Sequence, residues 1–349
     1  MKNNLAKYEF FVRRKSMGKQ LREVYGKYFQ EMMQYSKAPA KIDSTNVYQE
    51  ANKDLTKYME IILKENFLPG SGLGNVENFK AFYDAVTKEG KRGLILMEHY
   101  TNLDLPAIIY LLKMHGEDWS KDFSERIVAV AGMKLNEASP AVRIWTEGFT
   151  RVVIYPTRSL DKATESDISE EEKKSEEKKA RTINLAAMRA MDDCKKRGQV
   201  VLVFPSGTRY RPGHPETKKG LREIDSYLRL FDIVLPVAIN GNCLRINPEN
   251  PEDMLADLVT EDKFILTAHP VVDCKEYRKS ILDSLPADEP DPKQKTIDGI
   301  MDMLGKLHDE VEATRLLFFY GSRFCWQQAF QGPLTLGQRG CPKSLHYGG

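Results

Sequence analysis

The chain has 349 residues, 41% hydrophobic and 29% charged, with a formal net charge of +2. That length buries a substantial core, and the near-neutral balance excludes a global field for nucleic acid. Five scattered cysteines without CxxC spacing fit reduced thiols rather than a disulfide framework.

The first residues, MKNNLAKYEFFVRRKSMGKQ, lack an apolar run long enough for a signal-peptide core. No segment reaches the roughly 18 consecutive apolar residues of a spanning helix. Residues 1–85 read as a small helical N-terminal domain. Leu21, Val24, Tyr25, Tyr28 and Phe29, then Leu55, Tyr58, Met59, Ile62 and Leu63, recur at three- and four-residue steps. Basic residues Arg13, Arg14, Lys15 and Lys19 suit an acidic protein or anionic lipid, and equally a solvated helix face. The Gly-rich stretch LPGSGLGN at 68–75 reads as a loop, because no strand precedes its glycines.

Beyond Gly90 the pattern changes. Six apolar, β-branched runs read as buried strands: 93–98, 126–132, 151–156, 199–205, 232–239 and 264–271. Helical stretches such as LPAIIYLLKMHG and TINLAAMRAMDDCKKRG separate them. This alternation predicts an α/β domain over 86–312, with a mixed, largely parallel sheet flanked by helices. Residues 159–181 are laced with charges spaced for helical ion pairs and read as a solvated helix or loop. Residues 313–349 lack Asp and Glu and read as a poorly ordered tail.

Three strand ends carry polar groups. After the first run come Glu98, His99, Tyr100, Thr101, Asn102, Leu103 and Asp104, ahead of a helix with Pro106 in its first turn. A turn here can fold the Asp104 carboxylate onto the His99 imidazole, which makes a general base. A histidine that merely caps or packs at a strand end would have the same spacing. After the fourth run, Pro205-Ser206-Gly207 forces a tight turn, followed by Arg209 and Arg211 at alternate positions. Guanidinium forks suit phosphate oxygens, and Gly207 lets backbone approach a ligand. Arg158 follows the third run. If the three ends converge, they place a base beside a clamp for a phosphorylated substrate bearing a hydroxyl. HExxH and GxxxxGK[ST] motifs are missing, so zinc and P-loop enzymes have no support.

His99 and Asp104, with Phe204-Pro205-Ser206-Gly207-Thr208-Arg209 downstream, resemble the glycerolipid acyltransferase superfamily. Within it, the similarity is to soluble glycerol-3-phosphate acyltransferases of the chloroplast and bacterial type, whose Pro-Ser-Gly-Gly-Arg-Asp-Arg-Pro block resembles residues 205–212. The helix from Ala180 and the run Val234–Val237 extend the likeness, which covers about residues 75–275. The resemblance implies acyl transfer from an acyl carrier protein or coenzyme A thioester to the sn-1 hydroxyl of glycerol 3-phosphate, in phospholipid biosynthesis. It makes His99 the base and Asp104 its partner, and gives Arg158, Ser206, Gly207, Arg209 and Arg211 to the substrate. Neither metal nor cofactor is implied. The expected location is cytoplasmic, with transient peripheral contact at the inner membrane. Thr208 departs from the family's second glycine, and Ser206 from the glutamate usual in lysophosphatidate acyltransferases. The acceptor is thereby open, with a monoacylated one as the alternative. A non-catalytic phospholipid-binding module and a serine hydrolase using Ser206 are the rivals from other classes. The hydrolase lacks the Gly-x-Ser-x-Gly elbow.

Overall fold

The structure, a computed structural model, describes residues 18–137, 139–156 and 169–329, with side chains to residue 315. Arg13, Arg14, Lys15, Arg158 and residues 330–349 lie outside the described residues. The chain divides into two compact units, Met1–His308 and Asp309–Gly349. The described part of the second is the end of the helix Pro292–Ala329. Everything below concerns the first.

Its strands are β1 (Tyr48–Gln49), β2 (Gly72–Gly74), β3 (Gly93–Met97), β4 (Ile127–Gly132), β5 (Arg151–Ile154), β6 (Val200–Val203), β7 (Ile233–Asn240), β8 (Leu244–Arg245), β9 (Leu258–Val259), β10 (Ile265–Ala268) and β11 (Val272–Asp273). Among the described residues, nine of them form one sheet in the order β1-β5-β4-β6-β3-β7-β10-β2, with β11 also on β7. The middle, β5-β4-β6-β3-β7, is parallel throughout. β1, β10 and β11 pair antiparallel with their neighbours, so the sheet is mixed and largely parallel. All six runs read from the sequence are strands here.

Period-two alternation assigns the two faces. Ile95 and Met97 of β3 pack into one core, with Leu55, Ile62, Phe79 and Ile108 from helices. Leu94 and Leu96 pack into the other, with Ala187, Met191 and Ile300. Every side chain of β3 is buried. Burying each of its four large apolar side chains is worth about 1.5–3 kcal/mol before conformational entropy is charged. That makes β3 a rigid platform for whatever follows it.

The glycine stretch at 68–75 departs from its loop reading. Gly72–Gly74 runs as a short parallel edge strand on β10. At Gly74 the missing side chain is what lets the strand fit: a Cβ there would stand 2.7 Å from Thr267 Oγ1. β1 and β2 both arise within residues 1–85, which therefore share the sheet with the rest of the unit. The helix Glu170–Lys196 takes in most of the charged stretch, opened by Ser169 and Glu172 in a reciprocal capping box.

Candidate active site

β3 and β6 lie side by side in parallel, Ile95 opposite Leu202. Beyond β3 the chain enters the helix Asp104–His115, which packs Ala107, Ile108 and Leu112 on one face of the sheet. Beyond β6 it leads to the helix Ile224–Leu230, whose Ile224 and Leu228 pack on the opposite face. Two neighbouring strands that send their continuations to opposite sides leave a crevice at their carboxyl ends. His99 and Gly207 stand at that crevice.

His99 Nδ1 lies 2.9 Å from Asp104 Oδ2. The same oxygen accepts the backbone N–H of Tyr100 at 2.6 Å and of Thr101 at 2.9 Å. Asp104 is fully buried, and that burial pushes its carboxyl above the ordinary range, against the opposing pull of His99 and the two amides. The carboxylate therefore does three things: it closes the turn, sits in the first turn of a helix where the dipole favours it, and orients the imidazole. The Thr101 hydroxyl accepts from Leu103 N–H, at 3.1 Å.

The second turn is locked to the first. Tyr210 N–H donates to His99 O at 2.6 Å, and the His99 ring stacks on Phe204 with centroids 3.9 Å apart, 13° from parallel. Gly207 has φ of +62°, the left-handed region where glycine is strongly favoured. Its N–H donates to Phe204 O at 2.9 Å, so that group is consumed inside the turn rather than offered to an oxyanion. Leu221 N–H donates to Pro205 O at 2.8 Å, and a Cβ on Gly207 would lie 2.4 Å from Leu221 Cδ1. Ser206 is buried and donates its hydroxyl to Thr208 O at 2.7 Å. It lacks a histidine partner among the described residues, which removes the hydrolase reading.

A cavity of about 1260 Å³ opens on this crevice. His99, Gly207 and Thr208 are on its wall, with Trp145, Phe149 and Leu105 among the apolar lining. Arg209 and Arg211 are not on the wall. Arg209 is buried and paired with the fully buried Asp257; Arg211 pairs with Glu252 at 2.6 Å. Lys134, at the tip of β4, and Lys219, in the segment that folds back on Pro205, do line the cavity. Neither forms an ion pair among the described residues.

Two features escaped sequence reasoning. The lysines carry no motif signal. Glu98, the last residue of an apolar run, is buried and accepts Ile239 N–H at 2.8 Å and Tyr100 O–H at 3.1 Å. His308 Nδ1 lies 3.0 Å from Oε2, the same oxygen that accepts Ile239 N–H. A buried carboxylate ending a hydrophobic strand must find donors, and that was the available clue. It pins the His99 turn to β7. Among the described residues, no three His, Cys, Asp or Glu side chains cluster as metal ligands.

Residues 74–240 match the Acyltransferase family model. They form an acyltransferase domain. The domain holds β3, β6, the His99–Asp104 couple and the Pro205–Pro212 turn. No curated protein matches the sequence. Among solved structures, the chain is similar to the 1-acyl-sn-glycerophosphate (LPA) acyltransferase PlsC from Thermotoga maritima, at 17% identity, covering 81% of this chain and 88% of that one, with a TM-score of 0.36.

Proposed function

We propose that the acyltransferase domain moves an acyl group from a thioester to a hydroxyl of a phosphorylated glycerol. The observation that carries this reading is His99, held by the buried Asp104, on the wall of a large apolar cavity. With Nδ1 engaged by Asp104, Nε2 is the nitrogen left for an acceptor. It takes the hydroxyl proton as that oxygen bonds to the thioester carbonyl carbon. The tetrahedral intermediate then collapses, the C–S bond breaks, and the departing thiolate takes the proton back from His99. Asp104 holds the ring and stabilises the transient imidazolium.

The acceptor phosphate needs cations whose present partners are cheaply exchanged. Arg211 lies off the cavity wall and would have to swing in, an exchange that is cheap because Glu252 is exposed and such surface pairs are worth at most about 1 kcal/mol. Lys219 stands with it. Arg209 reads instead as a strut under the turn, since its pair with Asp257 is buried. Glycerol 3-phosphate is the proposed acceptor, with acyl carrier protein or coenzyme A carrying the acyl group. The volume and apolar lining of the cavity favour lysophosphatidate as a second reading. Purified protein, assayed for thiol release with each acceptor and donor, tests this. His99→Ala should reduce turnover to background, and near-normal turnover would refute the mechanism.

A further inference from the structure

The helix Glu170–Lys196 spans 27 residues and buries Ala180, Ile183, Ala187, Met191 and Cys194. Its outer side is not uniformly polar. Leu185 and Met188 are 49% and 50% exposed, one turn apart. Lys174, Lys178, Arg181 and Arg189 are exposed at the three- and four-residue steps that put them in the same stripe. None of these four cations pairs with a carboxylate among the described residues. Lys173 and Lys179, off the stripe, are paired to Glu170 and Glu176 at 3.4 and 3.3 Å. Glu171 lies at one end of the stripe, and the exposed Glu177 flanks it one turn from both Lys174 and Arg181, leaving a net positive balance. Asp192, at the other end, is neutralised by Lys195 and Lys196 at 3.1 and 2.9 Å. The result is a run of unpaired positive charge around two exposed apolar side chains.

Met188 is also on the wall of the cavity that contains His99. The stripe is thus continuous with a route into the site. No helix among the described residues is long and apolar enough to cross a membrane. A surface beside the cavity is a means of collecting a lipid for it. A basic stripe with apolar side chains at its centre is what an anionic bilayer attracts: cations meet lipid phosphates while Leu and Met enter the acyl boundary.

We propose that this stripe docks the domain on an anionic membrane surface, with Leu185 and Met188 inserted and the cavity mouth turned toward the lipid. The inference rests on the reading of the cavity as a lipid site. An acidic carrier protein would meet the cations equally well. The bilayer is favoured because the apolar pair sits between them and adjoins the cavity.

Co-sedimentation of the full chain with vesicles tests it, using phosphatidylcholine alone and phosphatidylcholine mixed with phosphatidylglycerol. The wild type should bind the anionic vesicles and lose them in high salt. Arg181→Ala with Arg189→Ala should weaken partitioning by roughly thirtyfold at low salt. Leu185→Ser should weaken it by about fivefold. The charge-matched control, Lys275→Ala with Lys279→Ala on the helix Cys274–Ser284, should leave binding intact. Equal losses in the control, no anionic binding by the wild type, or an Arg181 and Arg189 defect confined to capture of acyl carrier protein would each overturn the proposal. A protein that turns over thioester yet ignores vesicles sinks the docking stripe alone. One that binds vesicles through the stripe but transfers no acyl group sinks the functional reading alone.

Discussion

Arg209→Ala separates a strut from a substrate ligand. Arg209 is 9% exposed and Asp257 fully buried, so truncating the arginine strands a carboxylate without its counter-charge. Breaking a buried pair in this way costs about 3–5 kcal/mol. In a unit of this size that lowers the melting temperature by about 5–8 °C. The loss should depend on pH in a definite direction. Burial holds the Asp257 carboxyl up at about 6, while Arg209 pulls it down. Removing Arg209 lifts it further. A carboxyl whose folded pKa is raised makes the fold more stable in acid, and that stability is lost as pH rises through the folded value. The deficit of the variant against the wild type should therefore be small below about pH 6, where both folded carboxyls are protonated, and grow as pH rises from there toward the variant's higher folded value. Scanning calorimetry across that range is the assay. Replacing both residues by leucine should recover most of the stability, because the stranded charge is gone. A variant that melts with the wild type at pH 8, yet needs far more acceptor for half-maximal rate, would refute the strut.

Three other outcomes are expected. Asp104→Asn should keep the fold but lower turnover by about 100- to 10,000-fold, read from the thiol-release rate; a normal rate would exclude the couple as the base. Arg211→Ala should raise the acceptor KM several-fold with kcat and melting temperature near wild type, since the pair it leaves is on the surface. Gly207→Ala should destabilise by about 1–3 kcal/mol, because it combines φ of +62° with a Cβ pressed on Leu221. Urea titration checks this last one.

Local patterns were readable from the sequence, and long-range pairings were not. The six apolar runs became strands because buried parallel strands are continuous hydrophobic stretches. The contact between His99 and Asp104 could be anticipated because one turn joins them. The fate of Arg209 could not, since Asp257 is 48 residues away and nothing near either residue marks the other. The same holds for Glu98 and His308, separated by 210 positions. Gly72–Gly74 was read as a loop because glycines announce turns. In this case they serve close approach at a sheet edge. Lys134 and Lys219 were passed over because a lysine acquires meaning only from what it faces.

The way Asp104 is held bears on which substitutions the motif can absorb. Its carboxylate reads the main chain of Tyr100 and Thr101 and the ring of His99, and asks nothing of the Asn102 side chain. The residue count between histidine and aspartate is therefore the strict requirement. An exchange at 102 leaves the imidazole where it is, whereas one inserted residue there would swing the carboxylate off both amides and free the ring to rotate.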